Sequence, residues 1–205
     1  MKTQFLDGIK FLKKDLYLGP VVSKIDPPYF TYESNLFQSL LKYIVYQQLS
    51  IKAARKIYER LIGLFHQLEI NPKNFKKIKY DLLLEVGISN SKIKYMNEIA
   101  DKFLNDKYFL VDIDTLSDQE VIDNLIDIKG VGPWTCDMFL MFTLNRLDIF
   151  PMKDLGIKKG IQKLFKLEKI PTDEFMLKES KRWSPYRTIA CLYLWKLIDG
   201  NDFEW

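Results

Sequence analysis

Histidine and cysteine are scarce in this chain of 205 residues, with one of the first and two of the second, and no long uninterrupted apolar run occurs. Each scarcity excludes a class of function. The single histidine, His66, ends the amphipathic run YERLIGLFHQL, which argues against a histidine-rich metal site and against imidazole catalysis. A catalytic acid or base is therefore expected among the carboxylates. Cys136 and Cys191 each lie inside an apolar helical pattern, the setting of buried reduced thiols and not of a disulfide framework or metal cluster. No segment approaches the ~18 apolar residues that a membrane span needs. The N-terminal stretch MKTQFLDGIKFLKKDL interrupts its apolar runs with charge, so it lacks a signal-peptide core. The expected location is intracellular, in cytoplasm and nucleoid or in a nucleus.

The 47% of hydrophobic residues and 14% of aromatics suffice for a substantial core, in one large domain or two intimately joined lobes. The apolar period is helical throughout. In SNLFQSLLKYIVYQQ, Phe37, Leu40, Leu41, Ile44 and Val45 recur at i, i+3, i+4, i+7 and i+8, with Ser34 available as N-cap. Ser50 starts a second helix, IKAARKIYERLIGLF, and SKIKYMNEIADKFL places Ile93, Met96, Ala100 and Phe103 on one face. Ser117 to Glu120 has capping-box spacing. WTCDMFLMFTL is apolar almost all round, as a central buried helix would be. The last helix is expected to start with Ser184 at N-cap and Pro185 at N1, and to end before Gly200. No strand alternation, repeat array or long linker is present. The expectation is an all-α architecture of about eight to ten helices.

A formal net charge of +4, from 31 Lys and Arg against 27 Asp and Glu, is too weak to name a partner by itself. Its distribution is more informative. Lysines gather in NFKKIKY, SKIKY and GIKKGIQKLFKLEK, whereas acids concentrate in DIDTLSDQEVIDNLID. Such segregation suits a face for polyanions, although any one run also reads as a solvated helix face.

Residues 128 to 135, IKGVGPWT, join two apolar helices through closely spaced glycines. Gly130 and Gly132 permit positive φ and close approach of another molecule, and the amides at the start of the next helix suit a phosphate. A tight helix-helix turn without a ligand is the plainer alternative. One helix and a short Pro-containing connection later comes Asp154, whose residue type also suits an N-cap for LGIKKGIQKLF.

From this point the sequence resembles a known family. LIDIKGVGPWTCDMFLMFTLNRLDIFPMKDLGIKKG looks like the helix-hairpin-helix, Gly/Pro-rich loop and aspartate signature of the HhH-GPD DNA glycosylases, most similar to the AlkA type of 3-methyladenine DNA glycosylase II. YQQLSIKAA, GISNSKIKYM and WSPYRTIACLYLW match in the same order, so the likeness covers about residues 35 to 198. It implies a two-lobed all-α fold with a cleft between the lobes, forming one catalytic domain over residues 1 to 205. Its helix-hairpin-helix would span about 118 to 145, and the N- and C-terminal helices would pack as one lobe.

The resemblance further implies that Asp154 is the catalytic carboxylate. Breaking a purine's bond to deoxyribose builds positive charge on the sugar, which a carboxylate stabilises. An N3- or N7-alkylated purine is already cationic, so it leaves without a second, proton-donating carboxylate. Relatives that also cut the backbone through a Schiff base carry lysine where this chain has Trp134. Tryptophan has no amine, so the reaction is expected to stop at an abasic site. Lys153, where relatives often have an acidic or small residue, is a phosphate contact or simply solvated.

Trp134 and Trp195 match base-pocket positions, where electron-rich faces attract a cationic flipped base; core packing is the alternative for Trp195. Tyr29, Tyr46 and Tyr186 are further pocket candidates. Gln48, beside Gln47, matches the side chain that fills the gap left by a flipped base, and either glutamine could instead cap or bridge the junction at Ser50. Gly130, Val131, Gly132 and Thr135 are expected at a DNA phosphate. Main-chain carbonyls of Ile126, Ile128 and Val131 correspond to a site for Na+ or K+, structural and not catalytic. No cofactor is required, and two cysteines cannot hold the four-ligand iron-sulfur cluster of the endonuclease III branch. The chain matches compact forms without the separate N-terminal domain of longer AlkA enzymes, and it is expected to act as a monomer on double-stranded DNA containing alkylated bases. Two rival functions remain at this level: a glycosylase for deaminated or oxidised bases, and a catalytically silent helix-hairpin-helix protein that only binds DNA.

Overall fold

The computed structural model describes residues 2–28, 33–107 and 109–200. It is all-α: among these residues there are twelve α-helices and two short 3-10 turns, and no strand. The excess over the eight to ten expected helices comes from pieces such as Pro72–Phe75 and Tyr80–Glu85, which are too short to show a helical period. Among the described residues no helix is long and apolar enough to cross a membrane.

The chain divides into two compact units, and the first is discontinuous: Met1–Thr31 together with Asn145–Trp205. It holds α1 (Lys2–Leu12), α2 (Gly19–Lys24), α10 (Leu155–Leu164), α11 (Asp173–Ser180) and α12 (Arg187–Asp199). Every residue of α12 from Thr188 to Trp195 is buried, and α1, α2 and α10 all pack on it. Gly156 and Gly160 lie four apart and so share one face of α10. A Cβ at Gly160 would stand 2.9 Å from the Leu194 backbone oxygen, so the bare glycine surface sets how closely α10 approaches α12.

The start of α12 differs from expectation. The Ser184 hydroxyl donates to Asp148 Oδ2 (2.8 Å) and so does not cap the helix. Pro185 follows a cis peptide bond, Tyr186 holds the N-cap position, and the helix begins at Arg187. Gly200 closes it with positive φ, as expected.

The second unit, Tyr32–Leu144, contains α3 (Leu36–Tyr46), α4 (Ile51–Gly63), α5 (Pro72–Phe75), α6 (Tyr80–Glu85), α7 (Asn90–Asn105), α8 (Asp118–Ile126) and α9 (Pro133–Phe142). Helix α3 is central, packing against α4, α7 and α9. Its stripe of Phe37, Leu40, Leu41 and Ile44 meets a core that includes Leu61, Ile93, Met96, Leu125 and Phe139. Ser50, Ser89 and Ser117 cap α4, α7 and α8, and Ser117 and Glu120 form a full capping box. For α3 the cap is Asn35 and not Ser34. The Asn35 Oδ1 accepts the Gln38 N–H (3.0 Å), while its amide also donates to Ile70 O (2.7 Å), a long-range bond that serine is too short to make.

Candidate active site and nucleic-acid interface

In the first unit, Asp154 is only 9% exposed and stands as N-cap of α10. Its Oδ1 accepts two hydrogen bonds, from the Ile157 backbone N–H (2.7 Å) and from the Trp195 indole Nε1–H (2.9 Å). The capping role and the carboxylate role expected of Asp154 thus coexist on one oriented group. Trp195, 3% exposed, packs edge-on to the carboxylate, where its indole N–H acts as a positioning donor. Space for it comes from Gly156, where a Cβ would lie 2.7 Å from Trp195 Cδ1 and 3.0 Å from Asp154 Oδ1.

The connection that delivers Asp154 is pinned to the start of α12. Arg187 grips Asp148 with Nε on Oδ1 (2.7 Å) and a terminal nitrogen on Oδ2 (3.0 Å). Thr188 accepts the Ile149 N–H (3.1 Å), donates its hydroxyl to Arg146 O (2.7 Å) and donates its N–H to Leu147 O (2.9 Å). Burial tends to raise the Asp148 carboxyl, but hydrogen bonds from Arg187 and Ser184 outweigh it and hold the group below its usual range. Tyr186 packs its ring on Phe11 (5.4 Å between centroids), so this pocket candidate is engaged by α1.

In the second unit, α8 and α9 flank the expected hairpin. Only Gly130 has positive φ, at 95°. A Cβ there would fall 2.1 Å from the Tyr95 ring, so fold and backbone both demand glycine. Gly132 is extended (φ −110°, ψ 179°), which any residue adopts, so of the positive φ that both glycines permit only Gly130 makes use. A Cβ at Gly132 would meet nothing within 4 Å, so the fold itself places no demand on this glycine. Gly132 and Pro133 start α9 with no side-chain cap, which leaves the helix start suited to an anion. Within the turn the Val131 N–H donates to Ile128 O (2.9 Å).

Gln47 reaches this hairpin from the end of α3, its side-chain amide donating to Gly130 O and to the Thr135 hydroxyl, both at 2.9 Å. Gln47 therefore ties the loop to the hairpin, and Thr135 is buried beneath it. Gln48 is exposed, with a left-handed φ of 57°. Lys92 holds the same loop from α7, with Nζ donating to Val45 O and Gln47 O at 2.9 Å each, and burial lowers the pKa of its ammonium. Trp134 is half-buried in the first turn of α9. Tyr46 is buried against Tyr58, with its phenol raised by that burial. Tyr29 lies outside the described residues.

The model of the HhH-GPD superfamily, base excision DNA repair proteins, matches residues 41–185. The chain belongs to this superfamily. It is 35% identical to DNA-3-methyladenine glycosylase 1 of Schizosaccharomyces pombe over 169 residues, 82% of this chain and 74% of that protein. It is 31% identical to the DNA-3-methyladenine glycosylase of Saccharomyces cerevisiae, covering 93% of this chain and 78% of that one. Among solved structures, the Schizosaccharomyces pombe 3-methyladenine DNA glycosylase in complex with abasic DNA superposes with a TM-score of 0.87 at 29% identity, over 97% of this chain and 100% of that one.

As an HhH-GPD protein the chain also carries residues that its sequence motifs did not single out. Gly156, Tyr95, Lys92 and the Asp148–Arg187 pair all support the motif residues from behind. The spacing of Gly156 and Gly160 by four within one helix is a local signal for the first, whereas the others lie in segments that match the family without marking their individual roles. Cys136 and Cys191 are buried and form no disulfide, and burial, with the Asp137 charge adding to it, pushes the Cys136 thiol up to about 12, so it is inert.

Proposed function

We propose that this HhH-GPD protein is a monofunctional DNA glycosylase of base excision repair, which removes alkylated purines of the 3-methyladenine class and leaves an abasic site. The observation that carries the reading is Asp154, a nearly buried carboxylate fixed by two N–H donors in a chain of this superfamily. Such a group, already oriented, stabilises positive charge developing on deoxyribose as the base departs. Similarity to glycosylases named for 3-methyladenine supports the lesion class.

In this reading the exposed Gln48 occupies the gap in the duplex, and the flipped cationic purine meets the face of Trp134. The open space at Gly132 admits a phosphate to the start of α9. In the same reading the main-chain carbonyls of Ile126, Ile128 and Val131 hold a monovalent cation, which would add positive charge beside that phosphate. Trp134 offers no amine for a Schiff base, so the strand stays intact. Release of free methylated purine from methylated duplex DNA tests the proposal. The wild type should release base; Asp154→Asn should bind the same DNA and release base at least a hundred-fold more slowly, a loss of about 3 kcal/mol in transition-state stabilisation. Full activity in Asp154→Asn would sink the assignment.

A further inference from the structure

Lys153 and Lys158 share one partner. Lys153 Nζ donates to Asp173 Oδ2 (2.8 Å) and Lys158 Nζ to Asp173 Oδ1 (2.9 Å), so both carboxylate oxygens are taken. Asp173 is the first residue of α11, following the Thr172 cap. Lys153 directly precedes Asp154, and Lys158 follows one turn along α10, where its N–H donates to Asp154 O. A forked carboxylate bridging two ammonium groups has the form of a backbone phosphate with its two non-bridging oxygens. Lys153 adjoins Asp154 in the chain, with Cα atoms ~3.8 Å apart, and its long exposed side chain has the reach to meet a phosphate of DNA whose sugar stands at Asp154.

We propose that Asp173 holds, in the free protein, the place that a DNA backbone phosphate takes between Lys153 and Lys158 on binding. Asp173 is thereby a brake on DNA affinity: the substrate must displace an internal anion to reach two of the cations nearest the proposed catalytic carboxylate. The brake does not depend on pH in any working range, because hydrogen bonds from both lysines hold the Asp173 carboxyl at about 2. It acts by competition alone. The Lys153 side chain is 62% exposed and that of Lys158 22%, so the first is open to DNA and the second is held in place against the protein. The proposal rests on the assignment of Asp154 to the reaction, which base release by the wild type tests separately.

The experiment is fluorescence anisotropy of a labelled undamaged duplex with the full chain, across ~50–200 mM salt. Two exposed ion pairs compete only modestly with DNA, so Asp173→Asn should bind about three- to ten-fold more tightly. Its plot of log affinity against log salt should keep the wild-type slope, because the same two lysines neutralise phosphate in both complexes. Multiple-turnover base release should slow relative to single-turnover release as the abasic product leaves more slowly. In a Lys153→Ala/Lys158→Ala background the same change should alter neither affinity nor slope. Unchanged or weaker binding by a folded Asp173→Asn, in an enzyme whose wild type releases base, overturns the brake and leaves the glycosylase reading intact. The same gain persisting in the double-lysine background overturns it too. Should Asp173→Asn not fold, the single Lys153→Ala and Lys158→Ala variants decide: each should weaken binding and flatten the salt slope, and wild-type values in both contradict the proposal.

Discussion

Replacing Trp195 by Phe keeps an aromatic ring in α12 but deletes the indole N–H that Asp154 Oδ1 accepts at 2.9 Å. A hydrogen bond to a charged group is worth about 1.5–3 kcal/mol. If that energy serves to hold the carboxylate where charge develops on the sugar, its loss slows single-turnover base release about 10- to 150-fold, at ~1.4 kcal/mol per tenfold. Binding to undamaged duplex should stay near the wild-type value, because the bond is internal. The smaller ring also leaves a gap at a site 3% exposed, costing about 1–3 kcal/mol of stability. Rates are therefore compared well below both melting transitions. Stopped single-turnover reactions with methylated duplex, with released purine separated and counted, give the rate constant directly. A folded Trp195→Phe with the wild-type single-turnover rate would refute the reasoning: the orientation of Asp154 would then not depend on the indole N–H.

Three further outcomes follow from the geometry. Gly130→Ala should lower stability by about 1–3 kcal/mol, because its φ is positive and its Cβ meets the Tyr95 ring, whereas Gly132→Ala should melt like the wild type yet lose at least ten-fold in DNA affinity; thermal melts beside anisotropy separate the two. Gln47→Ala removes the amide bonds to Gly130 O and Thr135 and should cost about 1–3 kcal/mol of stability, while Gln48→Ala should leave stability within ~0.5 kcal/mol and slow base release. Asp148 has a folded-state pKa below its unfolded value, so the stability it contributes is present above the ordinary carboxylate pKa of ~3.9 and is lost as pH falls through its lower folded value; in denaturant titrations between about pH 6 and pH 3, Asp148→Asn should be less stable than wild type at the upper end and the difference should shrink towards the lower.

Periodicity made the long helices legible, because α3, α4, α7 and α9 each bury a face or a whole surface that the spacing of apolar residues reveals. Serine caps at Ser50 and Ser117 are equally plain, whereas the Ser89 cap of α7 emerges only in the structure, and Asn35 takes the place of Ser34 with a further bond to Ile70 that no local window contains. Ser184 misled for the same reason, since its hydroxyl answers to Asp148, thirty-six residues away in the chain. The motif residues Asp154 and Trp195 were individually visible, but their shared hydrogen bond was not, and it gives Trp195 a positioning role beside its expected one as a pocket wall. Lysine runs were read as a polyanion face, yet Lys92 donates to two backbone carbonyls, and Lys153 and Lys158 share Asp173. Charge counted along a sequence does not show which cations the fold already engages.

The central claim is base removal without strand cleavage, and one labelled duplex carrying a single alkylated purine tests it directly. After incubation with the wild type, half of each sample is treated with alkali and both halves are resolved by length. The account predicts free methylated purine, full-length strand before alkali and cut strand after it, with Asp154→Asn showing neither base nor cut. Strand cut without alkali, or an intact strand after alkali with no purine released by the wild type, would contradict it.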